Sequence, residues 1–201
     1  VHAADWSDID PDTGYGYGAI AQNYVLFMAE VEVEAATGKV RVLGATIVAD
    51  VGKIGSRQAV LGQAWGGFSH SVGFALSEDY SDMKKHATLR GAGVPRCADV
   101  PDRFRVLFHE TYRENGPHGS TGCAEGFQSA GHVSILNAIA DAVGVRVATL
   151  PVTPEKLRAA MSDKESGHSP ESGFWDLGCS LHERLETLRA RYGVPDANKS
   201  A

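Results

Sequence analysis

The sequence predicts an α+β fold, a mixed α/β arrangement in which an antiparallel hairpin and a mixed sheet pack against helices. Three observations lead there. A period-two run over residues 24–33 is followed at once by a second β-rich run over 39–49. Apolar residues recur at helical intervals over 56–80 and continue as an apolar segment over 127–143. Strand-like and helix-like stretches are mixed, without the strict strand–helix–strand repeat of a doubly wound parallel sheet.

Each element has its own warrant. In the first strand Val25, Phe27, Ala29, Val31 and Val33 share one side while Glu30, Glu32 and Glu34 take the other. Thr37-Gly38 supplies the turn, and the second strand, rich in Val and Ile, ends at Asp50-Val51-Gly52. The stretch 56–80 places Ala59, Leu61, Trp65, Phe68, Val72 and Leu76 at helical spacing, yet holds Gly62, Gly66, Gly67 and Gly73. Each exposed glycine costs a helix up to about 1 kcal/mol relative to alanine, so this helix requires close packing against protein or ligand. Gln63 is its polar residue of interest. Residues 81–102 read as loop, 104–109 as strand and 145–152 as a further strand. Thr153-Pro154-Glu155 opens another helix with a cap residue and a proline at its first position. Residues 161–172 read as a linker, and Leu177, Leu181, Leu185, Leu188 and Tyr192 mark an amphipathic helix after it.

Composition narrows the function. The chain has 201 residues, 43% apolar and 22% charged, which is ordinary for a globular protein. Its net charge of −6, without a basic stripe, argues against a nucleic-acid surface. No apolar run reaches the roughly 18 residues of a membrane span, and no signal-peptide pattern opens the chain. Cys97, Cys123 and Cys179 are odd in number and widely spaced, which suits a reducing, cytoplasmic setting rather than a disulfide framework. No His-x-x-x-His pair sets two ligands on one helix face, so no metal ligand is assigned. The chain starts at Val1 with a polar, aperiodic stretch and is expected to come from something longer.

The stretch most suggestive of chemistry is Gly119-Ser120-Thr121-Gly122-Cys123-Ala124-Glu125-Gly126, a polar loop running toward the apolar segment 127–143. Its glycines let the backbone approach a ligand, and a helix start offers free N–H groups to an anion or oxyanionic cofactor. One carboxylate, Glu125, is expected at that helix entrance, where the helix dipole favours its ionised form. An ordinary loop and helix cap would look the same at this level.

The ordered set of hairpin, Gly62-Gln63-Ala64-Trp65-Gly66 helix, Pro-rich loop, strand, Gly122-Cys123-Ala124-Glu125-Gly126, apolar helix and Thr153-Pro154-Glu155-Lys156 resembles the C-terminal part of the xanthine oxidase family, the molybdenum hydroxylases. Residues 119–134 look most like the aldehyde oxidoreductases of sulfate-reducing bacteria. The similarity runs from about Gly14 to Met161. It departs at Ala124, where many members carry glycine, and at Gly126, where many carry proline or serine.

The resemblance implies that residues 1–161 are the C-terminal subdomain of a molybdopterin-binding domain, followed over 162–201 by the linker and amphipathic helix. It implies oxidation of small aldehydes to carboxylic acids, with molybdopterin cytosine dinucleotide and molybdenum as cofactor. The chain would supply one wall of the site. Glu125 would be the general base, the backbone of Thr121, Gly122, Cys123 and Ala124 would follow the pterin, and Gln63 would lie near the metal. The other cofactor loops and 2Fe–2S clusters would sit on missing segments or partner chains, in an expected homo-oligomer.

Two other readings stand beside this one. The chain can be an interaction segment that completes a larger complex, or a hydrolase in which Cys123 is the nucleophile, His118 or His132 its base and Glu125 the orienting acid.

Overall fold

The computed structural model of the protein describes residues 9–16 and 21–166. Residues 9–16 form a turn of their own, in which the Gly14 N–H donates to the Asp10 carbonyl and the Asp10 N–H to that of Tyr15. Residues 21–166 run β1 (Tyr24–Glu34), β2 (Lys39–Asp50), α1 (Arg57–Leu76), β3 (Arg103–Phe108), α2 (Gly131–Val143) and α3 (Pro154–Glu165). The sheet order is β1-β2-β3, with β1 antiparallel and β3 parallel to β2, so the α+β class holds.

The alternation in β1 decides which face is covered. Val25, Phe27, Ala29 and Val31 pair with Ala49, Ile47, Ala45 and Val42, and β3 adds Phe104, Val106 and Phe108 on the same face. These residues join the core formed with Phe68 and Val72 of α1, Ile135 and Ile139 of α2, Leu157 of α3 and Phe127. Ile47, Phe68, Phe127, Ile135 and Leu157 are fully buried, each worth about 1.5–3 kcal/mol relative to exposure. On the opposite face Leu26, Val48 and Leu107 lie in one row across all three strands. Tyr24, Leu26 and Met28 are about half exposed there. Farther along, Arg103 pairs with Glu30 at 3.0 Å across Gly44.

Ser56 caps α1 by accepting the Ala59 N–H at 3.3 Å. Its glycines divide into two kinds. A Cβ on Gly67 would meet the Phe127 carbonyl carbon at 2.6 Å, whereas one on Gly62 or Gly66 would meet nothing within 4 Å. Close protein packing therefore explains Gly67, while Gly62 and Gly66 face open space one turn apart. Thr153 caps α3 and Pro154 occupies its first turn, as the sequence predicts.

Three local expectations differ from the structure. Residues 145–152 form no strand, although Val145 and Val152 are buried: the Val152 N–H donates at 2.7 Å to the Ala75 carbonyl at the end of α1. The alternation there records packing on helices, with no neighbouring strand to bond. No linker starts at Met161: α3 continues to Glu165, and the Lys164 Nζ donates to the Val143 carbonyl at the end of α2. The third concerns the Glu125 loop: the α-helix after it starts only at Gly131, preceded by a three-residue 3-10 turn, Glu125–Phe127. Gln128, Ser129 and Ala130 between them do not continue the turn as α-helix. The expected helix over 177–192 lies outside the described residues.

Loops at the sheet end are tied by Asp50, the last residue of β2. Its Oδ1 accepts the N–H groups of Gly52 and Thr111, at 3.1 and 3.2 Å, and its Oδ2 pairs with Arg113 Nη2 at 3.1 Å. Both side chains are only 15% exposed. Arg113 also donates from Nε to the Gln22 carbonyl and from Nη1 to that of Thr111, and lies over the Tyr24 ring. Burial pushes the Asp50 carboxyl up, but the hydrogen bonds from Thr111, Gly52 and Arg113 outweigh it and hold it well below the ordinary carboxylate range.

Two predictions follow from this packing. Gly67→Ala should lower the unfolding free energy by about 1–3 kcal/mol through overpacking, while Gly62→Ala should raise it by up to about 1 kcal/mol, both read by urea unfolding of the 201-residue chain. Asp50→Asn leaves the Arg113 charge without its partner and should cost about 3 kcal/mol at neutral pH. Because the folded value lies below 3.8, the carboxylate's contribution is complete above that value and is lost as pH falls through the lower one. The gap between wild type and variant should therefore be constant from neutral pH to about 5 and shrink below about 4 in a pH series of unfolding curves.

Candidate functional site

The loop is strapped to the sheet before it leaves it. The Gly119 carbonyl accepts the N–H groups of Lys53 and Arg113 at 2.9 and 3.1 Å, Ser120 bridges Gly52, and the Thr121 N–H donates to the Val51 carbonyl at 3.0 Å. Gly52 has φ +73 and a Cβ there would collide with the Gly119 carbonyl, so the close crossing requires glycine. Thr121 Oγ1 then donates to the Gly122 carbonyl at 2.8 Å.

The next residues are unlike their neighbours. Among the described residues the N–H groups of Gly122, Cys123 and Ala124 donate to no other group. Gly122 and Ala124 are exposed, and space beside Gly122 is open. The backbone is recaptured by the 3-10 turn, where the Phe127 N–H reaches the Cys123 and Ala124 carbonyls at 3.3 Å and the Phe127 ring plugs the core. Glu125 stands on that turn, exposed, and among the described residues no hydrogen bond or ion pair engages its carboxylate. The expected α-helix entrance is replaced by this short turn, so the dipole of a long helix does not act on Glu125.

α1 backs the turn. Gln63, Gly67 and Ser71 are four residues apart and so form one column on the helix. Gly67 rests on Phe127, and Ser71 Oγ lies 3.4 Å from the Gln128 carbonyl and against Gly131. Gln63 continues the column one turn beyond Gly67, exposed and without a hydrogen bond among the described residues. The structure thus brings α1 and the Thr121-to-Glu125 loop together through the Gly67–Phe127 contact. An open cleft of about 510 Å³ lies nearby between Asn23, Tyr24, Leu26, Asp50, His109 and Ser129, and neither Gln63 nor Glu125 lines it.

The thiol arrangement is not assembled. Cys123 is half-buried against the core and burial pushes its thiol up, the opposite of what a nucleophile needs. Among the described residues no hydrogen bond joins it to His118 or His132. His118 sits on the strap at φ 53, and His132, on α2, meets the Phe74 ring edge-on at 5.0 Å. Among the described residues no group of three or more His, Cys, Asp or Glu gathers as metal ligands, and no helix is long and apolar enough to cross a membrane.

Three residues that hold the site were not singled out from sequence: Asn23, Asp50 and Arg113. Asn23 donates from Nδ2 to the Gly122 carbonyl at 2.8 Å across ninety-nine positions of chain. Only the Asp50-Val51-Gly52 turn carried a local signal, since an aspartate two residues before a glycine commonly caps its own turn.

Comparison with known proteins gives this geometry its setting. The family model described as a molybdopterin cofactor-binding domain matches residues 2–101. An aldehyde oxidoreductase of Megalodesulfovibrio gigas is 43% identical over 152 residues, covering 76% of this chain and 17% of that protein. A probable hypoxanthine oxidase of Escherichia coli K12 is 31% identical over 159 residues, covering 77% of this chain and 16% of the relative. The solved aldehyde oxidoreductase from Desulfovibrio gigas superposes with a TM-score of 0.76 at 41% identity, over 78% of this chain and 17% of that one. The chain therefore spans about a sixth of the length of the relatives it matches. The order of elements, the sequence identity and the superposition agree, and the chain belongs to the molybdenum-binding region of the xanthine oxidase family.

Proposed function

We propose that this chain forms one wall of the molybdopterin site in a larger molybdenum hydroxylase that oxidises aldehydes to carboxylic acids, with water as the oxygen source. The observation that carries the reading is the run of three unpartnered backbone N–H groups, Gly122 to Ala124, leading into the unengaged Glu125 carboxylate. Such a run suits a polar, phosphate-bearing cofactor. The open flank of Gly62 and Gly66 beside Gln63 leaves room on α1 for the same group. Thr121, Gly122, Cys123 and Ala124 would hold the pterin through their backbone, with Gln63 toward the metal. The aldehyde oxidoreductases among the relatives support the substrate class, and residues 1–161 would be the C-terminal molybdopterin-binding subdomain, with the linker and amphipathic helix over 162–201.

When bound, the cofactor supplies a Lewis-acidic two-electron acceptor, a role that no side chain can perform. The chain's own part is the proton. A carboxylate oxygen of Glu125 takes the proton of the attacking water oxygen as that oxygen bonds to the aldehyde carbon. The strapped segment Gly119 to Thr121 and the buried Phe127 fix both ends of the turn, so the backbone that carries Glu125 is set before substrate arrives.

The reading includes molybdopterin cytosine dinucleotide as the cofactor form, 2Fe–2S clusters on other segments, a homo-oligomer and a cytoplasmic site of action. It also absorbs the interaction-segment alternative. The row Leu26, Val48 and Leu107, with Tyr24 and Met28 half exposed beside it, suits burial against the remaining enzyme.

Glu125→Gln in the assembled enzyme should lower turnover at least about a hundredfold, the range for losing a general base, while molybdenum content stays at the wild-type level. Steady-state kinetics with metal analysis of the same preparation measures both. Near-normal turnover would refute the base role.

A further inference from the structure

We infer that Asn23 is the positioning residue of the Cys123–Ala124–Glu125 segment, because its one carboxamide grips the glycine on each side of it. Its Nδ2 donates to the Gly122 carbonyl at 2.8 Å. The same carboxamide lies over Gly126, where an added Cβ would come within 2.7 Å of Oδ1 and 3.0 Å of Nδ2. Gly126 does not adopt positive φ, so what its missing side chain supplies is space for the Asn23 carboxamide and not backbone conformation.

The grip is anchored. Asn23 immediately precedes β1, whose first residue, Tyr24, pairs with Asp50 in the sheet. The Gln22 carbonyl accepts Arg113 Nε at 3.0 Å, and Arg113 is held by Asp50. A chain of contacts therefore runs from the β2 end through Arg113 to the entry of β1, and from Asn23 to the loop. Without Asn23, the side-chain hydrogen bonds left on the stretch between Thr121 and Phe127 among the described residues are Thr121's own and the local one from Ser129 Oγ to the Gly126 carbonyl at 2.9 Å. The consequence for catalysis rests on Glu125 being the base, and the grip itself does not.

The test uses amides that close the turn. In the 201-residue chain the Phe127 and Gln128 N–H groups donate to the Cys123, Ala124 and Glu125 carbonyls, so their hydrogen exchange, resolved by NMR, reports whether the turn is formed. Asn23→Ala should speed exchange of both by about five- to tenfold, the loss of one hydrogen bond, with the α2 amides unchanged. Gly126→Ala should do the same by displacing the carboxamide. In the double variant the second substitution should add less than about twofold, because the space is already vacated. Unchanged exchange in Asn23→Ala, or fully additive effects, would overturn the grip. If Asn23→Ala also unprotects α2, Gly126→Ala decides alone, and unchanged exchange there overturns the inference. In the assembled enzyme Asn23→Ala should lower kcat about tenfold with KM and molybdenum content unchanged. Faster exchange with normal kcat would uphold the grip and remove Glu125 from the base role.

Discussion

The Asp50–Arg113 pair is the contact on which the arrangement of the site depends. β2 ends at Asp50, and four separate pieces of chain converge there: the turn at Gly52, the segment at Thr111, the entry to β1 and the strap at Gly119. A nearly buried ion pair is a weak source of net stability, because desolvation offsets the attraction. Its value here is geometric. It satisfies several backbone groups at once, and it lets three loops meet where hydrophobic side chains alone would leave their carbonyls and N–H groups unpaired.

From that node the remaining geometry is a matter of close approach. Gly52 lets the strap cross, Gly67 lets α1 touch the Glu125 turn, and Phe127 fills the core between them. The result is a loop fixed at both ends whose middle three N–H groups have no protein partner among the described residues. With Gly122 and Ala124 exposed, these donors stand open beside the free Glu125 carboxylate, which is the arrangement the proposed function uses.

Much of this was legible in the residues. Strict alternation marked β1, valine and isoleucine marked β2, and Thr153-Pro154 marked the start of α3, because each is a local signal that the chain obeys. The failures were of another kind. Residues 145–152 begin and end on buried valines, yet burial on helices and pairing in a sheet leave the same apolar trace in sequence. The 3-10 turn at Glu125 reads as an α-helix start because the apolar run that follows it invites one, while the break at Gln128 to Ala130 is a matter of backbone geometry. Asn23 and Arg113 had no signal at all: each acts on groups about ninety positions away, and one sequence carries no record of such pairing. Gln63 and the loop residues stood out only as members of an ordered set, and the Gly67–Phe127 contact supplies the physical link between them.

The central claim is that this loop serves a molybdenum cofactor shared with other parts of a larger enzyme. Metal and pterin analysis of the native assembly purified through this chain, with mass spectrometry of what accompanies it, tests that most directly. The account predicts molybdenum and pterin together with co-purifying iron–sulfur segments of the same enzyme. A native assembly free of molybdenum and pterin would contradict it.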